Sequence, residues 1–367
     1  MSRLEVDPEG LLRDLVATPS VTGREEEVRR LIVEVLEEHG VPYEVDGMGN
    51  VLAGDLGGVV LNAHMDTVPA GDGWRVTDPF EPRTVGGRLY GRGAADCKGG
   101  LAAAVSAVVE ARYEGLPLGL LATVGEESPS EEDNGTLYAC RRGLDALGGI
   151  VCEPTDGEVH VGDRGRITLE VVIRGRSAHA SQPEKGKNPI EAAARVVEAL
   201  SRLKPSRRRV RGVGRVESSL SVTRIEADGP SNVIPDECRL TVDYRSIPGD
   251  TPSSVRRRVE RVVRRAVPGY RVEVRVRHAS RATAVDADSR VVKWVVSSAR
   301  EEGMDGQIGF KLGHCDIEYL VHEAGVDAVI FGPRGGNIHG PDEWVDVESV
   351  RRCARVYLRV GRRAARS

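Results

Sequence analysis

Gly58-Val59-Val60-Leu61-Asn62-Ala63-His64-Met65-Asp66 is a short apolar run that ends on an imidazole and a carboxylate. Leu118 to Val124 is another such run, followed by Gly125-Glu126-Glu127-Ser128. Gly149 to Cys152 leads into Glu153-Pro154-Thr155, and Ala328 to Phe331 leads through a Gly-rich loop to His339. Runs this brief, apolar and partly β-branched predict buried strands of a mostly parallel sheet. Gly99 to Ala111, rich in Ala and Val, predicts a buried helix between two of them. Strand, helix, strand in that order implies right-handed crossovers and an α/β fold with helices on both faces.

Upstream, Arg24 to Glu38 carries Val28, Leu31, Ile32, Val35 and Leu36 at helical spacing. From Ile167 the pattern alters. Ile167 to Ile173, Leu220 to Ile225, the alternating Glu237 to Arg245 and Val272 to Val276 predict antiparallel strands. Pro189 to Leu203 and Thr251 to Val267 predict two helices, so this stretch is an α+β unit. The expected organisation is a discontinuous catalytic domain, 1–166 and 283–367, interrupted by an inserted domain over 167–282.

Ligands of open α/β sheets bind beyond the carboxyl ends of the strands. His64, Glu126, Glu127, Glu153 and His339 all come after strands there. Asp96, in Gly91-Arg92-Gly93-Ala94-Ala95-Asp96-Cys97-Lys98, stands just before a helix. Two imidazoles with several carboxylates suit zinc, which takes nitrogen and oxygen ligands and keeps a position for water. A shared carboxylate such as Asp96 can bridge two ions, and Glu126 beside Glu127 leaves one acid to move a proton. Asp66 is placed to hold the second nitrogen of His64. The alternative is that Arg92 and Lys98 pair with Asp96 in a purely structural ion network.

These segments together resemble the co-catalytic dizinc amidohydrolases, the family of acetylornithine deacetylase, succinyl-diaminopimelate desuccinylase, aminoacylase and the glutamate carboxypeptidases. The match runs in order over nearly the whole chain. The resemblance implies that His64 and Glu153 bind one zinc, Glu127 and His339 the other, and Asp96 both. It makes Glu126 the general base and Asp66 the residue that orients His64. The inserted domain would be a lid and dimerisation domain, giving a homodimer. His179, in Ser177-Ala178-His179-Ala180, is similar to the family histidine that stabilises the oxyanion from a neighbouring subunit. Asn232 and Arg245 resemble the family's Asn and Arg that receive a substrate carboxylate, although Arg245 reads equally well as a strand-surface ion pair. Gly313-His314-Cys315-Asp316 departs from the family's usual Gly-Thr-Ser-Asp type stretch. His314 and Arg334 are therefore further candidates for touching substrate, and His314 also for neighbouring a metal or packing under its loop.

The 367 residues carry a net charge of -4, with 40% hydrophobic and 29% charged residues, so neither a nucleic-acid nor a membrane partner is indicated. Only six of the 52 basic residues are lysines: Lys98, Lys185, Lys187, Lys204, Lys293 and Lys311. Arg207-Arg208-Arg209, with no aromatics interleaved, reads as a solvated loop. The N-terminus has no apolar leader core, and the six cysteines have no paired spacing, which fits a reducing cytoplasm. His39, His160, His278 and His322 have no motif around them and read as structural.

The function expected is hydrolysis of an N-acyl amino acid of the acetylornithine or succinyl-diaminopimelate type. Two zinc ions, or cobalt or manganese in their place, would activate water. A dizinc exopeptidase or dipeptidase, or a hydrolase of a carrier-protein-linked lysine or ornithine, shares the metal chemistry. A catalytically silent binding relative would lack a ligand or the base, and none is missing.

Overall fold

The computed structural model describes residues 5–367. The chain forms two compact units. One comprises the residues up to Gly162 with Val285–Lys311 and Cys315–Ser367; the other comprises Asp163–Ala284 with Leu312–His314.

The centre of the first unit is a sheet whose four middle strands are parallel. In spatial order they are Leu118–Thr123, Val59–His64, Gly148–Val151 and Ala328–Ile330. Val51–Gly54 and Tyr43–Val45 extend one side antiparallel, and Val159–Asp163 lies antiparallel beyond Ala328–Ile330 on the other. Every residue of Val59–His64 and Leu118–Thr123 is buried. Burial on both faces is why these strands read as continuous apolar runs without alternation.

Register decides which side chains share a face. Val60, Leu121, Val151, Ala328 and Ile330 pack toward the short helices Gly135–Arg141 and Ile317–His322. Leu61, Ile150 and Val329, paired in register, take the other face by alternation. Helix Gly99–Glu114 packs on the sheet and is covered in turn by Pro8–Ala17 and the C-terminal helix Val347–Ala364. Twelve of its residues are buried, Gly99 to Val109 without a break, so it has no solvent stripe to betray it. Gly100 is required by this packing, because a Cβ there would lie 1.8 Å from the Cys152 carbonyl oxygen.

In the second unit, four antiparallel strands stand in the order Ser219–Glu226, Glu237–Ser246, Gly165–Arg174, Arg271–Ala279. Ile167, Leu169, Val171 and Ile173 meet Leu240, Val242 and Tyr244 on one face, under helices Pro189–Ser201 and Pro252–Ala266. Both helices start on a side-chain cap with proline next: Asn188 accepts from Ile190 N–H, and Thr251 closes a capping box with Ser254. Element ends fall within a few residues of those the periodicity predicts. Among the described residues all six cysteines are buried and none is in a disulfide, and no helix is long and apolar enough to cross a membrane.

Candidate metal centre

His64 is the last residue of its strand and 2% exposed. Its Nε2 lies 2.9 Å from Asp96 Oδ1 and 3.3 Å from Glu153 Oε1. His339 Nε2 lies 2.7 Å from Glu127 Oε1 and 3.3 Å from Asp96 Oδ2. Asp96 thus gives one oxygen to each imidazole, and all five residues named for metal binding converge around it.

The donor chemistry fits a metal. His64 Nδ1 is 2.9 Å from the Asp66 carbonyl oxygen, an acceptor only, so Nδ1 carries a proton. The Nε2 lone pair of a neutral His64 then points straight at two carboxylates, which is favourable only with a cation between them. Without one the group must hold protons. Burial opposes charge on His64, yet the hydrogen bonds to Asp66 and Asp96 hold it well above 6.5. Hydrogen bonds to Asp96 and Glu127 push His339 up to about 10. Cys97 also lies within ligand reach of His64 and Glu153, but burial pushes its thiol up to about 12 and it donates to the His64 carbonyl.

Glu126 is half-buried beside this cluster. Burial, with Asp316, Glu153 and Glu127 nearby and His64 opposing, holds its carboxyl well above 4.5. A carboxyl raised in this way is better suited than an ordinary one to take a proton and give it back.

The loops are tied down by residues behind them. Asp66 is fully buried; Oδ1 accepts the Glu126 N–H and Oδ2 the Glu127 N–H, each at 3.1 Å, and Thr22 Oγ1 donates to Oδ2. The nearest atom of Asp66 to the second His64 nitrogen is its backbone oxygen, with the carboxylate at 3.4 Å. Glu343 holds the Asp96 loop: Oε1 accepts from Ala95 and Asp96 N–H, and Oε2 from Gly93 N–H and Arg92. His339 has φ 62°, with Asn337 at 57° and Asp342 at 53°, a costly region for residues with a side chain. Asn337 Nδ2 bonded to the Asp342 carbonyl, and Asp342 bonded to the N–H groups of Arg75 and Val76, keep that turn.

Arg92 and Lys98 do not pair with Asp96. Arg92 is engaged by Glu343, and the buried Lys98 donates to the carbonyls of Leu15 and Thr18. Glu343 and Lys311 reach residues of the centre without any motif that marks them in the sequence, whereas Asp316 ends the Gly313-His314-Cys315-Asp316 stretch. Asp316 is buried, held by Thr136 and Asn134. Lys311 Nζ lies 3.1 Å from Glu153 Oε2. A signal for Lys311 existed: a lysine in a chain that otherwise chooses arginine.

Residues 60–363 match the family model described as peptidase family M20/M25/M40. The chain belongs to this family. It is accordingly a hydrolase. Among M20-type relatives, it is 31% identical over 382 residues to a succinyl-diaminopimelate desuccinylase of Cereibacter sphaeroides, spanning 97% of this chain and 98% of the relative. It is 30% identical over 309 residues to an acetylornithine deacetylase of Myxococcus xanthus, spanning 82% and 78%. A tripeptidase from Staphylococcus aureus superposes with a TM-score of 0.80 at 24% identity over 98% of both chains. A Bacillus subtilis protein described as a dinuclear metal binding peptidase of the M20 family superposes at 0.73, with 18% identity over 96% of both. At these identities the two structures speak for the fold.

The remaining residues named from the sequence of this M20 chain have the following surroundings within their own units. In the second unit, His179 is exposed on the short strand Ala178–His179, paired with Val233–Ile234, and its Nδ1 lies 2.7 Å from Ser181 Oγ. Asn232 is exposed and its carbonyl accepts from Ala180 N–H. Arg245 Nε donates to Asp243 at 2.8 Å, the strand-surface ion pair. His314 Nδ1 lies 3.1 Å from Asp163 Oδ2. Arg334, in the first unit, is exposed, with its backbone held by Ser349 and Asp346.

Proposed function

We propose that the chain hydrolyses the amide bond of an N-acyl amino acid at a two-metal centre. The observation that carries this reading is Asp96 standing between two imidazoles, one oxygen to each. His64 and Glu153 would hold one ion, Glu127 and His339 the other, and Asp96 both. Zinc suits these donors, and cobalt or manganese accept the same set. Bound there, the pair supplies Lewis acidity, polarising the acyl carbonyl and acidifying the attacking water.

The protein's own part is proton transfer and orientation. Glu126 takes a proton from the water as its oxygen bonds to the acyl carbon. It returns that proton to the amide nitrogen as the C–N bond breaks, so one carboxyl serves both halves of the reaction. Asp66 fixes Glu126 and Glu127 through their N–H groups, keeping the base and a ligand in register. His179 is assigned to the developing oxyanion, Arg245 and Asn232 to the substrate carboxylate, and Arg334 and His314 to substrate contact, on the family resemblance alone. The same resemblance supports a lid and dimerisation role for the inserted unit.

The names of the relatives at 30–31% identity favour acyl amino acids, of succinyl-diaminopimelate or acetylornithine type. A second reading, exopeptidase action on short peptides, is favoured by the peptidase family description. Metal-free protein reconstituted with zinc or cobalt and assayed on acetylornithine, succinyl-diaminopimelate, acetylmethionine and dipeptides separates them. Turnover of an acyl amino acid with dipeptides untouched is expected. Turnover of dipeptides alone would replace the reading, and failure to bind metal would end it.

A further inference from the structure

Glu153 faces in two directions. Its Oε1 lies 3.3 Å from His64 Nε2, and its Oε2 lies 3.1 Å from the ammonium of Lys311. Lys311 ends the strand Ile308–Lys311, which pairs with Val159–Asp163 at the edge of the sheet, and its side chain is 19% exposed. The contact spans 158 residues of sequence, so the fold and not the local chain brings it about. Nothing equivalent stands on the other half of the centre. Glu127 shares an oxygen with His339, and no Lys or Arg ion pair to Glu127 occurs among the described residues.

We propose that Lys311 makes the two halves of the centre unequal. It engages one Glu153 oxygen, leaving Glu153 a single oxygen to offer on the His64 side. Its fixed positive charge also opposes a second positive charge there. Like charges a few ångströms apart in a poorly hydrated pocket repel strongly. The Glu127–His339 half has no such neighbour and therefore fills first, and the His64–Glu153 half fills second and releases its ion more readily. Lys311 is thus a positioning residue that sets metal occupancy; it rests on the two-metal reading above and assigns an asymmetry within it.

The test is calorimetric titration of metal-free protein with cobalt, followed in parallel by the visible absorption of the bound ion. Wild type should show two classes of site. Lys311→Met, of similar length and uncharged, should tighten the weaker class by about tenfold or more and leave the stronger class unchanged. Lys311→Gln, which keeps a donor for Glu153 but no charge, should behave like Lys311→Met. Lys311→Arg should stay within about threefold of wild type. Thermal melting of each metal-free variant checks folding, and the Gln and Arg variants carry the test if the Met variant fails to fold. Unchanged affinities in the uncharged variants, or tightening in Lys311→Arg, would overturn the proposal. Absence of metal binding by wild type would instead overturn the two-metal reading itself.

Discussion

Arg92 and Glu343 form an ion pair of 2.6 Å between side chains that are each 1% exposed, 251 residues apart in sequence. Glu343 also takes the N–H groups of Gly93, Ala95 and Asp96, so this pair sets where the Asp96 carboxylate stands. Breaking it by Glu343→Gln leaves Arg92 as a buried charge with neutral partners. The expected cost is about 3–5 kcal/mol of stability, with loss of bound metal because the Asp96 loop is released. The double variant Arg92→Met with Glu343→Leu should recover part of the stability and none of the metal. Denaturant unfolding and metal analysis together check this; full metal retention in Glu343→Gln would remove Glu343 from the centre's support.

Glu126→Gln keeps the shape of the side chain and removes its ability to take a proton. Turnover should fall by about 10²–10⁴-fold or more while metal content stays at the wild-type level. Comparison of kcat with bound metal on the same preparation measures both, and near wild-type turnover would exclude Glu126 as the proton carrier.

Asp66 accepts two backbone N–H groups with separate oxygens, and an asparagine there would set an NH₂ against one of them. Asp66→Asn should weaken metal affinity by about 10–100-fold. The check is competition for metal with a chelator. Equal retention in the variant and wild type would mean that the Glu126–Glu127 loop does not depend on Asp66.

Glu302 ties the end of helix Arg290–Glu301 to the C-terminal helix through Arg355, at 2.7 Å, and Arg359. Burial works against its charge, but the two guanidinium groups prevail and hold its carboxyl below 4.5. A depressed carboxyl contributes stability that is present above its unfolded value and lost as pH falls through the folded one. Glu302→Gln should therefore lower stability near neutral pH by about 1–2 kcal/mol, discounted for the partly exposed arginines. The deficit should fade below about pH 4. A deficit independent of pH in melts across that window would show that packing, not charge, is what the variant lost.

Gly100→Ala puts helix propensity against packing. Alanine gains about 1 kcal/mol as a helix former. Its Cβ, however, would lie 1.8 Å from the Cys152 carbonyl oxygen, so helix and strand must separate. Net destabilisation of about 1–3 kcal/mol is expected, with weaker metal binding because Cys152 precedes Glu153. A variant as stable as wild type would show that the helix can slide without cost.

The strands that carry the centre were legible because burial on both faces demands unbroken apolar runs. Val59–His64, Leu118–Thr123, Gly148–Val151 and Ala328–Ile330 all fall on such runs. Parallel strands also deliver the residues beyond their carboxyl ends to one edge, which is why His64, Glu127, Glu153 and His339 could be named together. The short antiparallel sheet of Arg83–Val85, Arg88–Tyr90, Trp344–Asp346 and Gly335–Gly336 left no such trace. Its strands are two or three residues long, too short for a period.

The sequence by itself determined the α/β order, the interruption by an antiparallel α+β stretch, and which imidazoles and carboxylates follow the strands at the sheet's edge. Only the tertiary structure decided who supports them. Arg92 reads as a partner for nearby Asp96 but pairs with Glu343, and Lys311 reaches Glu153 across 158 residues. Apolar periodicity is a local constraint, imposed on each strand or helix by the layer it packs against. A charge pair needs only one residue from each side, so its choice of partner leaves no pattern until folding sets the two side by side.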